Sequence, residues 1–431
     1  MAIKHTQRLD VYRTLEKGNR VPVGTLAQNS KGVFFQYQPD YLIHWGNLSP
    51  FNLQHNSQLQ HAPMEPHHRL HGVFADSLPD GWGLLLMDRV FRKAGIVPSQ
   101  ITALDRLAFV GAGGMGALSY EPMSELALEN DEEPLSVAEL GLDAQAFFDG
   151  QTTDVLAALI AAGSSGGARP KALLYLQPGS DDVCSTRPLA NSKAYLVKFT
   201  SSRLALGHEE GLCEAAYLTL AKKAGIEVPN WRLLDAPQQS GAKKWLALER
   251  FDTIYNGDNP EGRYHLHSAC GLLDADFRMP SLDYEDLIKA SSMLCHSPKA
   301  GQQQFKRALF NLFACNQDDH SKNWAFLQSD SGDWRLSPFY DVTFSPSPYG
   351  EHATVFAGYD KQPPLKAIQQ LARHANYDSS AQIRQVIAEV IDSLNYFTIV
   401  ARELGVSKDT CKLISQQLSK IYQENKGLLT I

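Results

Sequence analysis

Residues Asn311-Leu-Phe-Ala-Cys-Asn-Gln-Asp-Asp-His-Ser-Lys-Asn323, with Asp341 eighteen positions further on in Ser337-Pro-Phe-Tyr-Asp-Val342, decide how this chain is read. Moving a γ-phosphoryl group asks little covalent chemistry of a protein. It needs a carboxylate for the incoming hydroxyl, and an Asn and an Asp that hold magnesium. Asp318, Asn323 and Asp341 supply these groups in that order. The five-residue step from Asp318 to Asn323 equals the separation of base and metal ligand in a kinase catalytic loop, although no His-Arg-Asp triplet precedes it. Upstream, Phe305, Ala308, Leu309, Leu312 and Phe313 recur at helical spacing, which predicts an amphipathic helix over 302–315 that delivers the loop. Downstream, Trp324-Ala-Phe-Leu327 and Trp334-Arg-Leu336 flank the polar, Gly-containing stretch 329–333. That reads as a hairpin turning Asp341 back toward Asn323. A solvated helix end followed by a hairpin would leave the same local pattern, so the features upstream matter.

Three such features stand in the order a phosphotransferase needs. Gly163-Ser-Ser-Gly-Gly-Ala-Arg-Pro-Lys171 is a small, basic-ended loop before the apolar run Ala172-Leu-Leu-Tyr-Leu176; it is not a Walker A sequence, but its glycines let backbone approach phosphate. Lys198 is the only charge in Ala194-Tyr-Leu-Val-Lys-Phe199, a strand-like run where a lysine must be paired, face a cleft or snorkel outward. Glu214 lies in a helical pattern over 210–224 closed by Gly225, and is the expected partner of Lys198. Trp245-Leu-Ala-Leu-Glu-Arg-Phe-Asp252 follows where a hinge between kinase lobes falls, with backbone at Glu249 to Phe251 available for adenine.

These pieces together resemble the HipA family of serine/threonine kinases, toxins of bacterial toxin–antitoxin pairs. The resemblance rests on Ser164-Ser-Gly-Gly-Ala-Arg-Pro-Lys171, Lys198, Glu214, Glu249-Arg-Phe-Asp252, Asn316-Gln-Asp-Asp-His-Ser-Lys-Asn323 and Tyr340-Asp341. Phe74-Ala-Asp-Ser-Leu-Pro-Asp80 and Asp105-Arg-Leu-Ala-Phe-Val-Gly111 resemble the family's N-terminal module, so the likeness covers residues 10 to 345. It implies Asp318 as base, Asn323 and Asp341 as magnesium ligands, and Lys198 as the phosphate lysine. Ser164, Ser165, Gly166, Gly167, Ala168, Lys171 and His320 would belong to the ATP site, with Glu249 and Phe251 as the adenine hinge. It also implies autophosphorylation of Ser164, with Ser165 the second candidate; the added charge beside ATP phosphates would expel the loop and silence the enzyme. Arg169-Pro-Lys171 stands where the family more often has Gln-Glu-Lys. The implied partners are a small helix-turn-helix antitoxin of the HipB type, operator DNA reached mainly through it, and a protein substrate; family substrates include aminoacyl-tRNA synthetases.

The implied fold is α/β (α+β): a bilobal, protein-kinase-like architecture with an additional N-terminal mixed α/β module over 1–125, an N-lobe over 126–250 and a mostly helical C-lobe over 251–431. The acidic stretch 125–134, ending in Pro134, marks the first boundary. The chain has 431 residues, 43% of them hydrophobic, enough for more than one packed core. No signal-peptide pattern or membrane-length apolar run is present, so a cytoplasmic location is expected. Six cysteines without a Cys-x-x-Cys pair read as buried or inert thiols. A net charge of −7 disfavours direct binding to nucleic acid.

Two other patterns carry less. Gly111-Ala-Gly-Gly-Met-Gly116 fits a dinucleotide fingerprint but is followed by a short, Pro-ended segment instead of a helix. His61, His67, His68 and His71 lie around Pro63 and Pro66 without a regular frame and read as a polar surface loop. Pro346, Pro348 and Gly350 suggest a mobile loop within 342–359. Two further functions fit the same residues: phosphorylation of a small-molecule acceptor, and a non-catalytic co-repressor that keeps the fold. A phosphorylated loop serine would separate the toxin kinase from the first, and intact Lys198, Asp318, Asn323 and Asp341 weigh against the second.

Overall fold

Alternating apolar residues in Arg8–Thr14, such as Leu9 and Val11, put one face of that strand into a core and the other into water. In the computed structural model, described over residues 5–127, 135–152, 157–162 and 166–430, this strand is an inner strand of a five-stranded antiparallel sheet. The spatial order is Gln60–His61, Gly32–Tyr37, Arg20–Asn29, Arg8–Thr14, Leu118–Glu121. Leu9 faces Leu26 and Leu26 faces Phe35, a register that stacks apolar side chains on one side. Helices Gly72–Ala75 and Ala103–Val110 cover that side with Val73, Phe74, Leu104 and Leu107.

A second antiparallel sheet runs Trp231–Asp235, Lys244–Glu249, Lys193–Lys198, Lys171–Leu176, Val183–Ser185, Leu135–Ser136. One face, with Ala172, Leu174, Val197 and Trp245, packs against Val137, Leu140 and Ala144 of the helix Val137–Phe148. Ser136 caps that helix by accepting from the Glu139 N–H. Trp82 and Leu86 of the helix Gly81–Lys93 enter the same core. The opposite face carries Lys171, Leu173 and Tyr175 by strand alternation.

Both sheets belong to one compact unit, made of Met1–His208, Trp231–Asp274 and Leu327–Asp333. The other unit, made of Glu209–Asn230, Ala275–Phe326 and Trp334–Ile431, is mostly helical. Its helices include Glu210–Lys223, Tyr284–Leu294, Pro298–Ala314, Ser380–Leu394 and Lys408–Asn425. The helix expected over 302–315 starts earlier because Pro298 occupies the first turn, where its missing N–H is harmless. The predominance of strands before residue 251 and of helices after it agrees with the expected α/β class.

Two expectations change, those for the histidines and for 342–359, while the discounting of the glycine run 111–116 agrees with the structure. His67 and His71 are buried, not part of a surface loop: His71 packs on Phe35 and Phe74, and His67 Nε2 lies 3.2 Å from Asp274. The segment 342–359 is anchored, because Thr354–Val355 pairs in parallel with Leu282–Asp283 and Phe356 is fully buried. Gly116 is followed by the strand Leu118–Glu121, and its N–H donates to Asp252, so the glycine run is structural. Five of the six cysteines are buried, and burial pushes the Cys184 thiol up to about 12.

Asp252 ties the first unit together. Fully buried, it accepts from Arg250 at 2.6 Å and 3.0 Å and from the Gly116 N–H at 2.6 Å, while Arg250 also donates to the Gly114 carbonyl. Burial alone would raise its carboxyl, but the Arg250 guanidinium outweighs this and holds it below the usual range. Asp252→Ala leaves Arg250 buried without its counter-charge and is expected to destabilise the chain by about 3–5 kcal/mol in denaturant titration. In the parent, the stability from Asp252 is fully present above about pH 4 and is lost as pH falls through its lower native value; an acid titration of Asp252→Asn should lack this component.

Candidate functional site

The helix Pro298–Ala314 stops because Cys315 turns left-handed at φ +55°, and the following loop is held by side chains on both sides. Asn316 donates to the Asn311 side chain at 2.8 Å and accepts from Ser345 at 2.7 Å. Gln317 accepts from the Ser347 N–H at 2.7 Å and donates to the Gly350 carbonyl at 2.9 Å. Asp319 goes inward. Its carboxylate, 1% exposed as a residue, accepts from Tyr284 Oη at 2.5 Å, His352 Nδ1 at 2.9 Å and the N–H groups of Ala353 and Thr354. Its carbonyl accepts from Trp324 Nε1 and the Thr354 hydroxyl. Burial and the Asp319 charge push the Tyr284 phenol well up, so it stays a donor.

That anchoring turns Asp318 outward, its side chain 69% exposed. Asn323 donates to the Asp318 carbonyl at 2.7 Å, fixing the five-residue step seen in the sequence. Tyr340 donates to the Lys322 carbonyl at 2.7 Å, which ties the residue before Asp341 to the residue before Asn323. Asp341 has φ +54°, a strained value for a residue with a side chain and of a kind found at functional sites. His320 Nε2 lies 4.0 Å from Asp318, with its ring 5.9 Å from Phe277. Glu214, on Glu210–Lys223 in the same unit, is buried.

The first unit holds the cationic residues. Lys171 and Lys198 face each other in register across neighbouring antiparallel strands and are only 3% and 6% exposed. Leu173 and Tyr175 continue the same strand face and line a cavity of about 410 Å³, together with Leu86, Phe109, Ile160 and Arg250. Lys171 also donates to the Gly166 carbonyl. Glu249 ends its strand with Lys193 3.5 Å away; the Arg250 N–H is already used by the Ala194 carbonyl, between Glu249 and Phe251. Ala168 is exposed, while Gly166 and Gly167 are half-buried.

The structure therefore gathers Asp318, His320, Asn323 and the backbone before Asp341 in one unit, and Lys171, Lys198, Gly166 and Gly167 in the other. Ser164 and Ser165 lie outside the described residues. Sequence reasoning missed Asp319, which nothing distinguished from Asp318, and it missed the contact that Asp80 and Trp82 make with Gly167. The signal for the latter was Asp80-Gly81 at a helix start, a capping pattern.

The sequence model of the HipA N-terminal domain matches residues 17–121, and that of the HipA-like C-terminal domain matches residues 163–396. The serine/threonine-protein kinase toxin HipA of Shewanella oneidensis is 26% identical over 284 residues, covering 62% of this chain and 60% of that protein. The chain thus spans about three fifths of the length of that relative. A chain from the solved Shewanella oneidensis complex of HipA, HipB and operator DNA superposes with a TM-score of 0.70 at 16% identity, covering 97% of this chain and 99% of the other, which establishes a shared fold. With the C-terminal domain model alone extending over more than half its length, the chain belongs to the HipA family.

Proposed function

We propose that this chain is an ATP- and magnesium-dependent serine/threonine-protein kinase that acts as the toxin of a toxin–antitoxin pair. One observation carries the reading: Asp318 is presented to solvent by a loop locked from behind through Asp319, with Asn323 bonded to its carbonyl. Phosphoryl transfer needs that arrangement, a fixed carboxylate beside a fixed metal ligand.

In this reading the Asp318 carboxylate accepts the proton of a substrate hydroxyl and orients its oxygen toward the γ-phosphorus. Lys171 and Lys198 hold the nucleotide phosphates, with Glu214 as partner to Lys198. Glu249 and Phe251 hold adenine by their backbone, and Gly166, Gly167, Ala168 and His320 complete the nucleotide site. The oxygen-bearing side chains Asn323 and Asp341 suit magnesium, which takes one or two protein ligands and completes its shell with phosphate oxygens and water. When bound, the ion neutralises charge on the phosphates. The Shewanella complex contains HipB and operator DNA, which supports an antitoxin partner of the helix-turn-helix type here. Net charge −7 favours DNA contact mainly through that partner. Autophosphorylation of Ser164, or of Ser165, would place an anion in the loop that meets ATP phosphates and switch the enzyme off.

Peptide mass spectrometry after incubation with ATP and magnesium tests this directly. Phosphate is expected on Ser164 or Ser165 of the parent and absent from Asp318→Ala. Phosphate-free parent protein that still binds ATP would favour a small-molecule acceptor or a co-repressor scaffold. Asp318→Ala should change stability by less than about 0.5 kcal/mol, as for an exposed side chain. Asp319→Ala, which strands several buried donors, should lose about 3 kcal/mol or more in the same denaturant titration. Equal losses at both positions would show that Asp318 is also a structural residue.

A further inference from the structure

Asp80 sits at the N-cap of the helix Gly81–Lys93 in an extended conformation, yet its side chain makes no capping hydrogen bond. A capping aspartate ordinarily accepts from the N–H two or three residues on. Here the carboxylate accepts instead from the N–H of Gly167, in the Gly-rich loop. The exchange is reciprocal, because the Trp82 N–H, one of the helix's orphan donors, donates to the Gly167 carbonyl at 2.9 Å. Trp82 Nε1 adds a bond to the Lys171 carbonyl at 2.9 Å, at the loop's far end. The fit is closest at Gly81, where a Cβ, at φ +42°, would lie 2.6 Å from the Gly167 carbonyl oxygen, and Gly167 itself stands at φ +101°, a conformation side chains rarely adopt. Gly167 therefore takes the place of the helix's own cap.

We infer that Asp80 is a positioning residue that sets nucleotide affinity by holding the Gly-rich loop as a latch. This rests on the nucleotide reading above. A Gly-rich loop binds phosphate through backbone N–H groups, and the Gly167 N–H is occupied by a carboxylate. A phosphate oxygen and the Asp80 oxygen cannot both take that donor closely, since both are anionic. Asp80 has a second state open to it: rotated back, it accepts from the first turn of its own helix. The latch is thus a two-state switch inside one unit, with the loop docked in one state and the helix self-capped in the other. Nucleotide binds to the undocked fraction, so docking lowers the apparent affinity by that fraction.

The test is equilibrium binding of a non-hydrolysable ATP analogue with magnesium to the full chain, beside hydrogen exchange of peptides covering 166–176. Asp80→Ser keeps a good helix cap but removes the carboxylate from Gly167. Roughly three- to tenfold tighter binding and faster exchange in the loop are expected. Asp80→Asn, which retains the shape and loses the charge, should fall between parent and Ser, and it keeps the test valid if the Ser variant folds poorly. A parent that binds, with variants that bind equally or more weakly, overturns the latch and leaves the nucleotide reading intact. Binding by none of the three overturns the nucleotide reading and the latch with it.

Discussion

The carboxylate of Asp319 is the constraint on which the candidate catalytic loop depends. A buried anion with four donors around it can occupy only one position, and the donors come from Tyr284 on one side and from His352, Ala353 and Thr354 on the other, all more than thirty residues from Asp319. Once Asp319 is fixed inward, chain geometry sends its neighbour Asp318 outward, and the hydrogen bond from Asn323 to the Asp318 carbonyl sets the loop's width. Tyr340 then brings the chain leading to Asp341 onto the same loop. A solvent-exposed carboxylate gains its precision from one that never meets solvent.

In the other unit the governing feature is strand register. Lys171 and Lys198 are kept opposite each other by the register of two strands whose reverse faces are locked into an apolar core by Ala172, Leu174 and Val197. Hydrophobic burial on one side of the sheet thus fixes which residues stand opposite each other on the other side.

Much of this was visible in the sequence where local chemistry and local geometry coincide. The i, i+4 stripe of Phe305, Leu309 and Phe313 marked the helix, and the spacing of Asp318, Asn323 and Asp341 marked the loop, because both are fixed within a few turns of chain. Asp319 was opaque because its role is set by partners more than thirty residues away. His67 and His71 were misread for a related reason: prolines and histidines look polar in sequence, but Phe35 and Phe74 cover His71 from elsewhere. Prolines and a glycine in 342–359 suggested mobility, yet a two-residue parallel pairing with Leu282–Asp283 and a buried Phe356 hold the segment. The helix Val137–Phe148 lay behind an acidic boundary and was not anticipated, although Val137, Leu140 and Ala144 repeat at helical spacing.

Trp82 lends the architecture a historical meaning. It starts a helix that precedes the acidic stretch, but its ring lies in the core of the second sheet, and its indole N–H is spent on the carbonyl of Lys171. Asp252, after the second sheet, is likewise completed by Gly116 from before that stretch. Each half of the first unit therefore supplies partners for buried groups of the other. Fusions that begin as tethered neighbours can be undone by recombination. With these groups shared across the seam, either half taken alone would leave buried polar atoms of the other without their partners.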